Sequence, residues 1–432
     1  TLWSREWNSG IFRHCLDTAI RNPQKFIFMS ATNPLWASAV LLTERMVQPM
    51  DKPTVQDIFH RFYPAYLDQY SPSPVQAKVA HNIMNCKTGA YGANVCVCED
   101  CGFVQIHYNS CRNRCCPMCQ AVPKEMWMDA RREDVLDAPY FHLVFTVPDI
   151  LNPVIYSNQR LLYDALYHAA SSTISELTAD PKHLGAKVGY ICILHTWGSE
   201  MNFHPHIHTI LLGGGLASNN QWKDNGENFF LPIRVISKMF RGKYLEELKR
   251  LWEEDKLVFH GTAEKFRNHY TFKELLDSCY GMDWIPHCKK TFNGAQTVIK
   301  YLGKYTHRIA VSNHRIVRMD DDTVTFLVKD YRNEGQWKEL TISGVEFVRR
   351  FLMHVPPRRF VRIRHYGLLC SRTKSQKLTL CRNLLGCKKY LSKLRDMEMP
   401  EILEHLYGIK VCVCKACGGH LGKPQMRMPL RC

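Results

Sequence analysis

Three histidines stand at alternate positions, His204, His206 and His208, in FHPHIHTILLGGG (residues 203–215), where a buried strand would ordinarily carry apolar side chains. Residues two apart on a strand share a face, so His206 and His208 point together with Ile207 opposite, and two imidazoles so placed can bind one divalent ion. His204 lies at the strand's start, as a flank. Further along, YLGKY (301–305) sets Tyr301 and Tyr305 four apart, which on a helix brings both phenols out on one face about one turn from each other. Alone, such a pair is more often packing than chemistry. Here Lys300, Lys304, His307 and Arg308 surround it with cations suited to drawing in phosphate. A phenol is a poor nucleophile at its ordinary pKa of ~10, but a metal ion polarising phosphate oxygens lowers what is asked of it. Metal ligands, phenols and basic surroundings read together as phosphodiester transfer.

A second chemistry belongs to cysteine. Of nineteen cysteines, eight lie between Cys86 and Cys119 and four between Cys412 and Cys432, a clustering that argues for metal sites over a disulfide framework. CEDC (98–101) and CPMC (116–119) have the spacing of a four-thiolate zinc ribbon or knuckle, so Cys98, Cys101, Cys116 and Cys119 are expected to hold a structural zinc. Cys86, Cys96, Cys111 and Cys115 remain for a second, interleaved site. CVCKACGG offers Cys412, Cys414 and Cys417 for a C-terminal zinc, with Cys432 or His420 as fourth ligand. The other seven cysteines read as free thiols in a reducing cytoplasm. Arg112 and Arg114, beside the sulfurs in SCRNRCCP, are candidates for phosphate contact.

The elements that must position these groups follow from periodicity. TVQDIFHRFYPAYLDQY (54–70) predicts an entry helix broken by SPSP, and PKEMWMDARREDVLDA (123–138) a second helix. YFHLVFTVP, VGYICILHTWG and the histidine segment predict strands. Between the first two lies an amphipathic helix over 158–179. A mostly helical insertion over about 216–282 follows, then a strand-like MDWIPHCKK, a helix entered through Asn293 that carries the tyrosines, and a hairpin, TVTFLVKDYRN with KELTISG. This is an α+β layout with helices packed on an antiparallel sheet. The expected divisions are 1–49, an upstream or leader segment before a natural start at Met50; 50–137, entry helix and zinc-binding domain; 138–345, nuclease domain; and 346–432, a basic C-terminal region. Lys and Arg outnumber Asp and Glu by 57 to 40, a net charge of +17, which favours a polyanionic partner. No long apolar run free of breakers appears, so no membrane span is expected.

HPHIH with its glycines, YLGKYTHRIAVSNHRI, FVRIRHYGLL and SCRNRCCPMCQ, in that combination, resemble the insertion-sequence-91 family of bacterial transposases, two-tyrosine rolling-circle members of the HUH nucleases. The resemblance runs from about residue 55 to 420. It implies a central antiparallel sheet bearing His206 and His208 as ligands of magnesium or manganese, and a helix bearing Tyr301 and Tyr305 as nucleophiles. It also implies action on single-stranded DNA, leaving a phosphotyrosine on the 5′ side and a free 3′ hydroxyl. Lys300, Lys304 and Arg308 become DNA contacts beside Arg112 and Arg114. Two departures stand out: Cys115 replaces a histidine common in RNRHCP, and Asn94 stands near a position often His, with Cys96 as the substitute ligand. A third protein ligand for the nuclease ion is left between His195 on the neighbouring strand and Glu200, because a one-residue slip in register exchanges the faces. Two other readings remain, a DNA-binding regulator using only its zinc modules and a zinc hydrolase using the histidine pair. Neither needs the tyrosines.

Overall fold

A computed structural model describes residues 52–224, 231–284, 286–291, 303, 309–330, 334–422 and 426–427. The chain enters through α1 (Val55–Gln69), started by a capping box in which Thr54 and Asp57 satisfy each other's backbone N–H groups. Ser73 caps α2 (Pro74–Met84) in the same way with Gln76, and Pro74 fills the first turn, where no backbone donor is needed. The SPSP stretch thus ends one helix and begins the next. Two short strands, β1 (Ala93–Val97) and β2 (Val104–Tyr108), form a hairpin, and α3 follows (Ala121–Arg132), shorter at its C-terminal end than the sequence predicts.

The centre of the molecule is a six-stranded antiparallel sheet. It contains β3 (Tyr140–Thr146), β4 (Lys187–Trp197), β5 (Phe203–Leu216), β6 (Trp222–Asp224), β7 (His287–Thr291) and, late in the chain, β11 (Ile363–Gly367). The order is β11-β4-β5-β3-β7, with β6 on the far end of β5. Phe141, Leu143, Phe145, Leu194 and Ile207 face one side, where α4 (Gln159–Ala179), α5 (Ile233–Glu253) and α6 (His269–Gly281) bury them in the largest core. The opposite face carries Ile191, Ile193 and Ile210 against Met128 of α3 and, further along the chain, Leu378 and Cys381. The three glycines after the histidines have a packing cause. A Cβ on Gly213 would meet Phe141, on Gly214 the Trp222 ring, and on Gly215 the Lys187 carbonyl. They let β5 lie close to its neighbours there.

Beyond the central sheet, β8 (Ile316–Met319), β9 (Thr323–Asp330) and β10 (Gln336–Ser343) form a separate meander. The predicted hairpin is its β9–β10 pair. α7 (Gly344–Met353) then packs on α1, so closely that a Cβ on Gly344 would enter the Phe62 ring. Phe59, Phe62, Phe326, Phe347 and Phe351 make this a second core. β11 returns to the central sheet from within the basic stretch, and α8 (Lys374–Leu385) and α9 (Met399–Tyr407) complete the order before β12 (Met426–Arg427) pairs with β1. None of the described helices is long and apolar enough to cross a membrane. Cys192, Cys279 and Cys381 are buried, and burial pushes their thiols up, to about 12, 12 and 11.

Candidate functional site

The register of β4 on β5 resolves which face the histidines share. His195 lies directly opposite His206, and a bulge follows before Trp197 pairs with Phe203. His195, His206 and His208 therefore meet on one face, with one ring nitrogen from each within 4.8 Å of the others. Glu200 is exposed in the β4–β5 turn, and its carbonyl accepts from Arg350 at 2.9 Å, away from this group. His204 stays at the rim beside Asp149, where its contribution is through the backbone: its carbonyl accepts from His206 Nδ1 at 2.6 Å. That bond puts the His206 proton on Nδ1 and leaves Nε2 bare. His206 Nε2 is 3.0 Å from His208 Nε2, and His142 Nε2 is 2.8 Å from His208 Nδ1.

Two proton arrangements satisfy this chain. In one, His142 donates to His208, which donates to His206. In the other, His208 Nδ1 donates to His142, and both facing Nε2 atoms are bare, a pair that only a cation between them makes favourable. Two nitrogens ~2.1 Å from one ion at a right angle stand ~3.0 Å apart, so the observed separation fits a shared ion. Burial holds His206 and His142 down to about 4 and His208 well below its ordinary value, so these three imidazoles are neutral at physiological pH. Among the described residues the group contains no carboxylate, so an ion held there keeps its full positive charge. Trp197 stacks on His195 with ring centroids 4.4 Å apart and fixes that ring. His142 escaped the sequence reading because its partner sits on another strand, although YFHLVF does show a histidine at an inward-alternating position.

Tyr301, Tyr305, Lys300, Lys304 and Arg308 lie outside the described residues, as does the helix expected from Asn293. Gly303, between the tyrosines, is described. A Cβ there would meet the Met128 side chain on α3, in the layer that covers the histidine face of the sheet. A cleft beside it is lined by Arg114, Lys124, Gly303, Ser312 and His314. Arg114 itself binds backbone, donating to the carbonyls of Phe360 and Pro357. It ties the cysteine block to the segment that leads into β11. Arg112 is exposed.

The cysteines form two groups that cross the expected boundaries. Cys86, Cys111, Cys116 and Cys119 converge in one, and Cys98, Cys101, Cys414 and Cys417 in the other. Cys98 and Cys101 are thus not partners of Cys116 and Cys119, and the expected C-terminal site is not self-contained. The reason is the β1–β2 hairpin, which carries Cys98 and Cys101 at its tip, away from both of its feet. Cys115 lies outside both groups, in the core, where burial raises its thiol to about 11. Cys96 is likewise buried on β1, its thiol raised by burial. Cys412 joins neither group, and Cys432 lies outside the described residues. The sulfurs are 3.5 and 3.6 Å apart in the first group and 3.6 and 3.7 Å in the second. Tetrahedral zinc with ~2.3 Å bonds sets its sulfurs ~3.8 Å apart, and a disulfide would need ~2.05 Å.

Residues 58–147 match the family described as "Transposase zinc-binding domain", and residues 189–377 match "Putative transposase". A Sinorhizobium fredii protein, "Putative transposase y4qJ", is 40% identical over 369 residues, covering 84% of this chain and 93% of that one. The chain belongs to the insertion-sequence-91 family of transposases. The "Transposase for insertion sequence element IS801" of Pseudomonas savastanoi pv. phaseolicola is 30% identical over 309 residues, 70% of this transposase and 72% of the relative. Among solved structures, the metal-bound conjugative relaxase TrwC in complex with oriT DNA is 14% identical over 39% of this chain and 70% of its own, with a TM-score of 0.22, a superposition too loose to bear on function. The histidine strand and YLGKY both fall inside the second match, and Cys86 to Cys119 inside the first.

Proposed function

We propose that this transposase cleaves and rejoins single-stranded DNA through Tyr301 and Tyr305, at a phosphate held beside magnesium or manganese on His195, His206 and His208. The observation that carries the reading is the convergence of three buried imidazoles on one face of the sheet, with Gly303 of YLGKY backed against the layer over that face. The ion would supply charge to the phosphate oxygens as they become more negative in the transition state. One phenol oxygen bonds to phosphorus and its proton passes to solvent; the P–O3′ bond breaks, and the 3′ oxygen leaves as a hydroxyl. The DNA stays on the tyrosine by its 5′ phosphate, and a 3′ hydroxyl of a second strand can reverse the step. Arg112, Lys300, Lys304 and Arg308 contact the backbone, and the zinc-binding domain acts as scaffold. The enzyme works on DNA in the bacterial cytoplasm. The testing experiment incubates the protein with a labelled single-stranded oligonucleotide spanning an element end and manganese, then runs a denaturing gel. A protein–DNA adduct is expected. A pure DNA-binding regulator or a zinc hydrolase would give none.

The logarithm of the affinity for single strands should fall linearly with the logarithm of salt concentration, with a slope of about 0.7 per phosphate contacted. It should exceed affinity for the same sequence as duplex, since the reaction needs an unpaired backbone. Fluorescence anisotropy across a salt series measures both, and equal binding of the two forms would count against the proposal.

His142→Ala takes away the group facing His208 Nδ1, which orients that ring toward the shared point. Loss of such a supporting bond costs about 10–100-fold in metal affinity. Manganese titration followed by electron paramagnetic resonance should show that loss with the thermal melt little changed. Unaltered affinity would mean that His208 is oriented by packing alone.

A further inference from the structure

The group Cys98, Cys101, Cys414 and Cys417 joins parts of the chain more than three hundred residues apart, with sequence separations of 319 and 313 for its two closest sulfur pairs. The match to a zinc-binding domain ends at residue 147 and includes only half of it. Both halves are the same turn. In CEDCG, Gly102 follows at φ +71° with its N–H bonded to the Cys98 carbonyl at 3.0 Å. In CKACG, Gly418 follows at φ +77° with its N–H bonded to the Cys414 carbonyl at 3.0 Å. A side chain at either glycine would strain a left-handed backbone. Backbone N–H groups also point at sulfur, Ala416 toward Cys414 and Gly419 toward Cys417, each at 3.4 Å. Such donors stabilise thiolate, the form that binds metal.

The local core is too small to hold the two turns together unaided. It consists of Cys96, Cys98, Cys414 and Leu421, with Phe103 packed at its edge. Among the described residues the remaining links are sparse: a bridge between Cys98 and Leu421, with bonds from Gly422 N–H to the Val97 carbonyl at 3.3 Å and from Glu99 N–H to the His420 carbonyl at 3.4 Å, and the two-residue β12 on β1. A core of this size ordinarily needs a metal or cross-link to be stable. Its four sulfurs lie at tetrahedral zinc spacing, with no position left for a substrate.

We infer that Cys98, Cys101, Cys414 and Cys417 bind one structural zinc ion that clasps the C-terminal segment to the β1–β2 hairpin. Four thiols lose their protons to solvent as the ion binds, so the clasp strengthens with rising pH. It is independent of the proposed DNA chemistry.

The test counts zinc in the full chain by native mass spectrometry. The parent should hold two ions, one for each four-cysteine group. Cys98→Ser/Cys101→Ser and Cys414→Ser/Cys417→Ser should each hold one, and the quadruple variant should also hold one, because both pairs remove the same ion. Two ions in the Cys414/Cys417 variant, or none in the quadruple variant, would overturn the clasp. A measurement on the parent avoids dependence on how the variants fold: alkylation during gradual zinc removal by a chelator should expose Cys98, Cys101, Cys414 and Cys417 as one cohort. Reaction of Cys414 and Cys417 before the other two lose protection would refute a shared ion. Proteolysis just after Tyr407 should quicken by about tenfold or more when that cohort is released, since cleavage follows the population of the open segment.

Discussion

Tyr301→Phe/Tyr305→Phe is expected to form no covalent adduct with single-stranded DNA while binding it, and manganese, as the parent does. Phenylalanine keeps the ring and removes only the hydroxyl, so the loss falls on the chemical step. Deleting a covalent nucleophile costs on the order of a million-fold in rate, beyond the reach of a gel assay. The single variants separate the two phenols. The i,i+4 spacing expected for a helix would put both phenols on one face about a turn apart, and under the proposed reading strand transfer needs one phenol to hold a 5′ end while the other attacks elsewhere. Each single variant should therefore lose complete transfer, and at least one should still form an adduct. His206→Ala, lacking one of the three converging nitrogens, should form none. An adduct surviving in the double Phe variant would place the nucleophile elsewhere.

What the sequence revealed follows the range of the interaction behind each feature. His206 and His208 are two apart on a strand, and period two alone puts them on a common face. His195 was one of two candidates for the third position, because only the strand pairing decides between it and Glu200. The pairing of His195 with His206 sets the face, and the turn carries Glu200 outward to solvent. The helices over 54–70 and 158–179 and the strands on either side of the second were legible because each is amphipathic or apolar in its own right. β11 was hidden: its arginine and histidine suggest a basic tail, yet it pairs with β4 from Ile363 to Gly367, with Arg364 held by Asp164 and lying over Tyr167. The zinc sites show the same limit. Spacing identifies C-x-x-C pairs, but which pairs meet depends on where a hairpin tip and the chain's far end arrive. Neither Cys98 nor Cys414 carries a local sign of its partner.

Cys116→Ser is expected to lose one zinc and to collapse the scaffold on which the histidine site rests, whereas opening the Cys414/Cys417 clasp should leave that site intact. The difference lies in what surrounds each ion. Cys116 is fully buried and, with Cys86 and Cys115, belongs to the same core as Phe59, Ile83, Phe347 and Phe351. That core also contains Met201, in the turn joining β4 to β5. The turn is fixed further by Arg315, which donates to the Ser199 carbonyl at 2.6 Å, and by His354, whose Nε2 lies 3.0 Å from the Met201 carbonyl. His195 and His206 sit at the strand ends flanking that turn, so disorder at Cys116 reaches their register through a packed path. Structural zinc contributes about 10–16 kcal/mol to the folding of small domains, as much as or more than the ~5–15 kcal/mol by which whole proteins are stable. A serine oxygen cannot replace the thiolate in this site. The variant should show a thermal transition lowered by well over 10 °C, on the rough scale of 2–4 °C per kcal/mol for larger domains. Its manganese affinity at the histidines should fall with the transition. Cys414→Ser should lose its own zinc and keep both properties, because the four-residue core at the clasp contains neither Met201 nor a residue of the central sheet. Calorimetry and manganese titration on the two variants side by side give the answer: equal losses in both would mean that the ions support one cooperative unit, and an unperturbed Cys116→Ser would show that the cysteine block folds without its metal.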